Sequence, residues 1–310
     1  MGFSKNVKQE IISKDFNSNC CRLAFVAGVF DSCAKFEDNK FVVSSDQKEQ
    51  IEYIANNIEK VCGKKVGIKV VGDYGINKLT YYFLEIDVNE FSGLFEKLGC
   101  LKDNQKVMSS QQIISTPCCI KAYASGVYLA IGTSSIKFSD QNRKTTGYHL
   151  EFASKNYEFL SSFASILAQY DIFAKLVQRK NMYVLYVKDA GEVSNVLALI
   201  GSFDSVLKLQ NEMATREVRN KVNRQTNCMS ANINKTVEAS MKQVDAIEKI
   251  INKVGLENLP ADLQTVALLR LANTEESLEE LLKLSRLPLT KSGLNHRFKK
   301  LIKLAESLGD

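Results

Sequence analysis

Small residues fall at i, i+3 and i+4 in Ala24, Ala27 and Gly28, and again in Ala122, Ser125 and Gly126. That spacing puts each trio in a narrow strip on one helical face, so two such helices can approach closely. The flanking residues repeat too. Cys20-Cys21-Arg22-Leu23-Ala24-Phe25-Val26-Ala27-Gly28-Val29-Phe30 returns 98 positions later as Cys118-Cys119-Ile120-Lys121-Ala122-Tyr123-Ala124-Ser125-Gly126-Val127-Tyr128, which predicts two similar halves built around paired helices. In the first half the hydrophobic pattern predicts a hairpin over Ala34 to Ser44 turning near Glu37-Asp38-Asn39, and a helix from about Gln47 to Cys62. Strands at Val66 to Val71 and Leu79 to Val88 and a closing helix from Glu90 to Leu98 follow. The second half predicts a hairpin around Asp140-Gln141-Asn142-Arg143, a helix from Asn156 to Tyr170, strands Ile172 to Gln178 and Met182 to Lys188, and a helix from Glu192 to Ile200. Each half reads α-β-β-α-β-β-α, an α+β arrangement with helices on one face of an antiparallel sheet. Pro117 marks the seam.

The pattern changes after about Asn211. Arg216 to Asn227 is rich in Asn and Arg without a clear period and predicts a basic linker that becomes ordered on contact. Beyond it, Ile233, Val237, Met241, Val244 and Ile251 form one helical stripe, with Lys235, Lys242, Lys249 and Lys253 opposite. Asn258-Leu259-Pro260 opens a helix from Ala261 to Leu271. Ser277-Leu278-Glu279-Glu280 is a capping box that starts a short helix through about Leu284, and a last helix runs from about Lys291 to Leu308. Two helices joined by a tight turn, the second rich in basic and amide side chains, describe a helix-turn-helix. The predicted division is therefore 1–110 and 111–205 for the two repeats, 206–229 for the linker, and 230–310 for an all-α domain with the helix-turn-helix at about 275–308.

At 310 residues with 45% apolar composition and 3 prolines, the chain supports compact domains. A net charge of +6 permits nucleic-acid binding without demanding it. No stretch approaches the roughly 18 uninterrupted apolar residues of a membrane span, and the start lacks an apolar signal core, so a cytoplasmic protein without a membrane partner is expected, associated with the nucleoid if it binds DNA. Four of the 8 cysteines are adjacent pairs at equivalent repeat positions. Neighbouring helical residues point about 100° apart and do not bridge each other, so these read as small, buried, reduced thiols. No Cys-x-x-Cys spacing gives a zinc signature, and no cofactor or metal is expected.

The last helix carries the chemistry. Leu294, Phe298, Leu301 and Ala305 make a packed face, while Ser292, His296, Lys299 and Lys303 lie opposite. From Arg286 to Lys303 there are six Lys or Arg and no acid. A recognition helix puts its N-terminal residues on base edges, where Asn suits adenine and Arg suits guanine. Ser292, Asn295, His296 and Arg297 are the base-reading candidates. Lys291, Lys299, Lys300 and Lys303, with Arg224, Asn227, Asn234 and Lys235 of the basic segment, are the phosphate-contact candidates.

The repeat order resembles the homing-endonuclease fold named for its LAGLIDADG motif. Val26-Ala27-Gly28-Val29-Phe30-Asp31 matches the first six motif positions with Asp31 at the acid, and Ala124-Ser125-Gly126-Val127-Tyr128-Leu129 matches them with leucine there. A lone carboxylate cannot clamp both the attacking and the leaving oxygen through divalent metals, so Asp31 and Leu129 read as degenerate nuclease positions and no catalytic residue is assigned. The degenerate repeat together with the tail resembles the WhiA family of bacterial DNA-binding regulators. The likeness is strongest at Asn19-Cys20-Cys21-Arg22, at Val222-Asn223-Arg224 through Lys235-Thr236, and at Lys291-Ser292-Gly293-Leu294-Asn295-His296-Arg297. It implies a sequence-specific transcription factor without nuclease activity, linked to sporulation or to cell division and chromosome segregation. Its expected partner is double-stranded DNA, bound by a monomer with an internal pseudo-two-fold. The alternatives are a metal-dependent endonuclease using Asp31 with Glu85, Asp87 or Glu151, and a repeat domain that docks RNA polymerase or senses a nucleotide.

Overall fold

A computed structural model of the chain describes residues 2–74, 79–136, 138, 147–285 and 288–309. The hairpin expected at Asp140 to Arg143, and Arg286 with Leu287, lie outside these residues. The chain forms two compact units, residues 1–216 and 217–310.

The first unit contains both repeats. α1 (Phe3–Ile12) precedes the first and was not foreseen from the hydrophobic pattern. The repeat proper runs α2 (Asn19–Cys33), β1 (Lys35–Glu37), β2 (Lys40–Ser45), α3 (Lys48–Cys62), β3 (Ile68–Tyr74), β4 (Leu79–Asp87) and α4 (Ser92–Leu98). Asp38 and Asn39 both take positive φ, 49° and 61°. Two such residues in succession suit the two-residue hairpin turn whose twist matches the strands. A small ladder, β5 (Leu101–Lys102) with β6 (Gln105–Lys106), and a 3-10 turn at Gln111–Ile114 lead to α5 (Pro117–Ile131). There Pro117 occupies the first turn, where its missing N–H costs nothing. β7 (Gly132–Ser135), β8 (His149–Ser154), α6 (Tyr157–Ala168), β9 (Lys175–Arg179), β10 (Met182–Val187) and α7 (Ala190–Leu199) complete the second repeat.

The sheets have matching antiparallel orders, β1-β2-β4-β3 and β7-β8-β10-β9. Phe41, Val43, Leu84 and Ile86 of the first and Leu150, Phe152, Leu185 and Val187 of the second are buried, so one face of each sheet is covered. At the centre, α2 and α5 pack on each other through the two small-residue strips, and Ala24, Ala27, Ala122 and Ser125 are buried. Gly28 and Gly126 set the separation. A Cβ at Gly28 would stand 2.2 Å from the Tyr123 carbonyl oxygen, and one at Gly126 would stand 2.2 Å from that of Phe25.

α8 (Phe203–Lys253) is one helix of 51 residues. It corrects the expected linker at 206–229, which is helical throughout. No proline or glycine interrupts the helix, and i,i+4 pairing such as Arg216 with Glu212 at 2.7 Å supports it. Val206 and Leu209 at its start are buried in the core of the first unit, but residues 217–229 are almost all exposed, and an exposed helical stretch carries no apolar period for a sequence reading to find. α8 ends where Gly255, at φ 85°, lets its N–H turn back to the Ile250 carbonyl.

In the second unit, Ala246, Ile247 and Ile250 of α8 form a core with α9 (Ala261–Ala272), α10 (Leu278–Ser285) and α11 (Lys291–Ser307). The face of α8 that packs is not the expected stripe. Ile233, Val237, Met241 and Ile251 are exposed, whereas Ser240, Gln243, Ala246, Ile247 and Ile250 are buried, roughly a quarter-turn round the helix. Polar bonds select this face: Ser240 donates to the Thr274 carbonyl, and Gln243 accepts from Arg270.

Candidate nucleic-acid interface

Both helices of the expected helix-turn-helix start at capped ends. The Ser277 N–H donates to Glu280 Oε2 at 3.0 Å and the Glu280 N–H donates to Ser277 Oγ at 3.3 Å, so the capping box closes reciprocally. These bonds from Ser277 hold the Glu280 carboxyl below its ordinary range. Thr290, unmarked in the sequence reading, caps α11 by accepting the Gly293 N–H at 3.1 Å. The expected inward face is confirmed: Leu294, Phe298, Leu301 and Ala305 are buried.

The side chain that ties this unit together is Arg270 of α9, only 2% exposed. Its Nε donates to Gln243 Oε1 at 2.9 Å, and one terminal nitrogen donates to the carbonyls of Asn273 at 3.1 Å and Glu276 at 2.8 Å. The guanidinium stands 5.3 Å from the centre of the Phe298 ring. One cation therefore links α8, the segment leading into α10, and the core of α11. Sequence reasoning missed it because an arginine in an amphipathic helix ordinarily faces water.

The opposite face of α11 is open. Lys291, Ser292, His296, Lys299, Lys300 and Lys303 are exposed, and Asn295 and Arg297 are half-buried. Two of these candidates are already engaged. Arg297 Nε donates to Asp262 Oδ2 at 3.1 Å, and Lys291 Nζ pairs with Glu279 Oε1 at 2.6 Å. Surface pairs of this kind contribute about 0 to 1 kcal/mol, little enough to be exchanged for a phosphate or a guanine edge. Arg224, Asn227, Asn234 and Lys235 are exposed on α8, with Arg224 Nε donating to the Asn220 carbonyl at 3.2 Å.

The acid of the motif is arranged differently. Asp31 is 4% exposed. Its Oδ1 accepts from the Ser109 N–H at 3.0 Å and hydroxyl at 2.8 Å, and its Oδ2 accepts from the Tyr123 hydroxyl at 2.9 Å. Lys106 Nζ, bonded at 2.6 Å to the carbonyls of both Phe30 and Ala34, supplies the compensating charge. Burial pushes the Asp31 carboxyl above its usual range, against the pull of Ser109, Tyr123 and Lys106. Leu129 is buried at the equivalent place, and neither Cys33 nor Ile131, the last residues of α2 and α5, is an acid. The suggested second carboxylates do not join Asp31. Glu85 faces away from the buried Leu84 and Ile86 and pairs with Lys40 and Lys69, and Glu151 pairs with His149 and Arg179. Asp87 Oδ1 accepts from the Asn89 and Glu90 N–H groups.

The folded chain holds the Asp31 proton more tightly than the unfolded chain. Ionisation therefore costs stability as pH rises from the ordinary carboxylate range through the raised value, and the cost stays constant above it. Asp31→Asn is expected to flatten this dependence and to change stability at neutral pH by no more than about 1 kcal/mol, as read by urea unfolding across the acidic range. A loss several times larger would mean that the carboxylate charge itself is required.

Among the described residues no helix is long and apolar enough to cross a membrane. Residues 222–305 match the WhiA C-terminal HTH domain and residues 120–219 match the WhiA LAGLIDADG-like domain. The chain is 33% identical to the probable cell division protein WhiA of Carboxydothermus hydrogenoformans, covering 99% of this chain and 98% of that one. It is 31% identical to the protein of the same description from Caldicellulosiruptor saccharolyticus, covering 99% and 96%. The crystal structure of full-length DUF199/WhiA from Thermatoga maritima aligns over 100% of both chains with a TM-score of 0.58 at 25% identity. With a LAGLIDADG-like repeat unit and a helix-turn-helix that both match, and full-length relatives above 30% identity, the chain belongs to the WhiA family.

Proposed function

We propose that this protein is a sequence-specific DNA-binding transcriptional regulator that retains the repeat architecture of a homing endonuclease without its activity. The observation that carries the reading is α11, whose capped N-terminal turns present Ser292, Asn295 and His296 beside Arg297, followed by the exposed Lys299, Lys300 and Lys303. Laid in a major groove, the first group meets base edges and the second meets phosphates. Arg224, Asn227, Asn234 and Lys235 add phosphate contacts from α8. The spent acid position supports the absence of nuclease chemistry, since Asp31 has its acceptor oxygens occupied by protein donors. The repeat unit then remains as a surface for a second contact, with DNA or RNA polymerase, on a monomer that already contains a pseudo-dimer. The relatives named as probable cell division proteins favour target genes in division, and the family resemblance extends the expectation to chromosome segregation or sporulation.

The test is a gel shift on sheared genomic DNA with magnesium, followed by sequencing of the retained fragments. Intact DNA concentrated at few sites is expected. Replacing Asn295 and His296 by alanine, singly and with Arg297, is expected to cost about 1 to 3 kcal/mol of discrimination per lost base contact. Each of Lys299→Ala, Lys300→Ala and Lys303→Ala should weaken binding to all sequences alike and reduce the salt slope by about 1. Unchanged discrimination in the triple variant would remove α11 from the reading frame of the DNA. Cutting that Asp31→Asn abolishes would restore the endonuclease reading.

A further inference from the structure

The four paired cysteines, which the sequence reads as small, buried, reduced thiols, meet in space. Cys20 and Cys21 lie in the first turn of α2, and Cys118 and Cys119 lie in the first turn of α5. Packing of α2 on α5 brings the two turns together, so that Cys20 faces Cys119 and Cys21 faces Cys118 within hydrogen-bonding reach. The sulfurs of Cys20, Cys21 and Cys119 all lie within 4.8 Å of one another. None of the four is in a disulfide. Contrary to the expectation of uniform burial, Cys20 and Cys118 are exposed, while Cys21 and Cys119 are buried, which leaves the cluster a route from solvent.

We propose that these four cysteines form a tetrathiolate site for one zinc ion, clamped between the two repeats. Zinc with four sulfurs at about 2.3 Å requires sulfur separations of about 3.8 Å; Cys20, Cys21 and Cys119 are already gathered within 4.8 Å, and Cys118, which reaches Cys21, completes the set by turning its exposed side chain inward. A second observation points the same way. Both helices begin with a hydroxyl residue at the N-cap, and neither hydroxyl caps its helix. Instead Ser18 Oγ sits 3.2 Å from Cys20 Sγ, and Thr116 Oγ1 sits 3.3 Å from Cys118 Sγ. Each forgoes a stabilising helix cap for a bond to sulfur, and a metal-bound thiolate is a far better acceptor than a thiol or a disulfide. The positive ends of two helix dipoles face the cluster and offset the surplus negative charge of four thiolates around a divalent ion. Binding displaces one proton from each thiol, so affinity rises with pH. Ser18 and Thr116 are positioning residues that orient the ligands.

The experiment uses the full-length, reduced protein. Metal content after growth in zinc-supplemented medium is measured by plasma mass spectrometry, and the stripped protein is titrated with cobalt(II). One zinc per chain is expected, together with the sulfur-to-cobalt charge-transfer band and the intense visible bands of tetrahedral cobalt. Cys20→Ser with Cys118→Ser, at the two exposed positions, should keep the far-ultraviolet circular dichroism of the parent and lose about 100-fold or more in zinc affinity. Ser18→Ala with Thr116→Val should lose about 10- to 100-fold. A reduced protein that gives no cobalt thiolate band, or zinc binding that the double cysteine variant leaves unchanged, overturns the proposal. So does a chain that holds no metal and closes Cys20 to Cys119 as a disulfide under mild oxidation.

Discussion

Gly28→Ala is expected to destabilise the repeat unit by about 3 kcal/mol or more. The added methyl would stand 2.2 Å from the Tyr123 carbonyl oxygen and 3.2 Å from the Val127 backbone nitrogen. Both neighbours are backbone of a packed helix, so no side chain can rotate to make room and α5 itself must move. Displacing it disturbs both sheets, because Phe30 of α2 stacks on Phe41 of β2 and Tyr128 of α5 meets Phe152 of β8 edge to face. Gly126→Ala should cost a similar amount through the Phe25 carbonyl. The double variant should cost clearly less than the sum, since either methyl alone already separates the helices. Urea unfolding of the three variants measures this, and a single-variant loss below about 1 kcal/mol would show that the helices yield easily.

Arg270→Met should lower the stability of the second unit by about 4 kcal/mol. The substitution keeps much of the volume but leaves Gln243 Oε1 and the carbonyls of Asn273 and Glu276 without their donor, at about 1 to 3 kcal/mol for each acceptor that water cannot reach. Lysine should recover less than half of the loss, because one ammonium cannot reproduce a planar fork bonded at separate nitrogens and stacked on Phe298. Amide exchange in α9 and α11 reads the effect directly, and unit 1 should be unaffected. If exchange in α11 stays slow in Arg270→Met, the network is ornamental to the fold and the apolar core alone holds the helix-turn-helix.

How much could be read from the chain depended on whether a signal was local and periodic. The strips at Ala24 and Ala122 stated their spacing openly, and the close helix contact followed from it. Ser277 and Glu280, and the face of Leu294, Phe298, Leu301 and Ala305, were legible for the same reason, since capping and amphipathicity act over a few residues. Phe3, Val7 and Ile11 carry an i, i+4, i+8 signal for α1, short enough to be masked by the polar residues between them. Other features were not local. α8 looked like a linker because an exposed helix needs no apolar period, and its packed face was chosen by Gln243 and Ser240 meeting partners far along the chain. Of the base-contact candidates, Arg297 could be placed on its helix from sequence, but its ion pair with Asp262 depends on how α9 and α11 cross. The meeting of the cysteine pairs depends likewise on the pseudo-two-fold, which no spacing within either copy records.

α1 bears on how the chain is made. Its buried Phe3, Val7 and Ile11 rest on α3, α5 and β7, and near its end Glu10 accepts the Asp204 N–H at 3.1 Å and the Ser205 hydroxyl, while Lys14 donates to the Gly201 carbonyl. The apolar face of α1 thus waits for α5 and β7, synthesised more than a hundred residues later, and Glu10 and Lys14 wait for partners almost two hundred residues later. Contacts of such long sequence separation form late and slowly, and until they form the apolar face of α1 is open to solvent or to a chaperone. A nascent chain stalled before α5 and β7 should therefore carry a protease-sensitive α1 that becomes largely resistant when those elements emerge, and fully so when the start of α8 supplies the partners of Glu10 and Lys14.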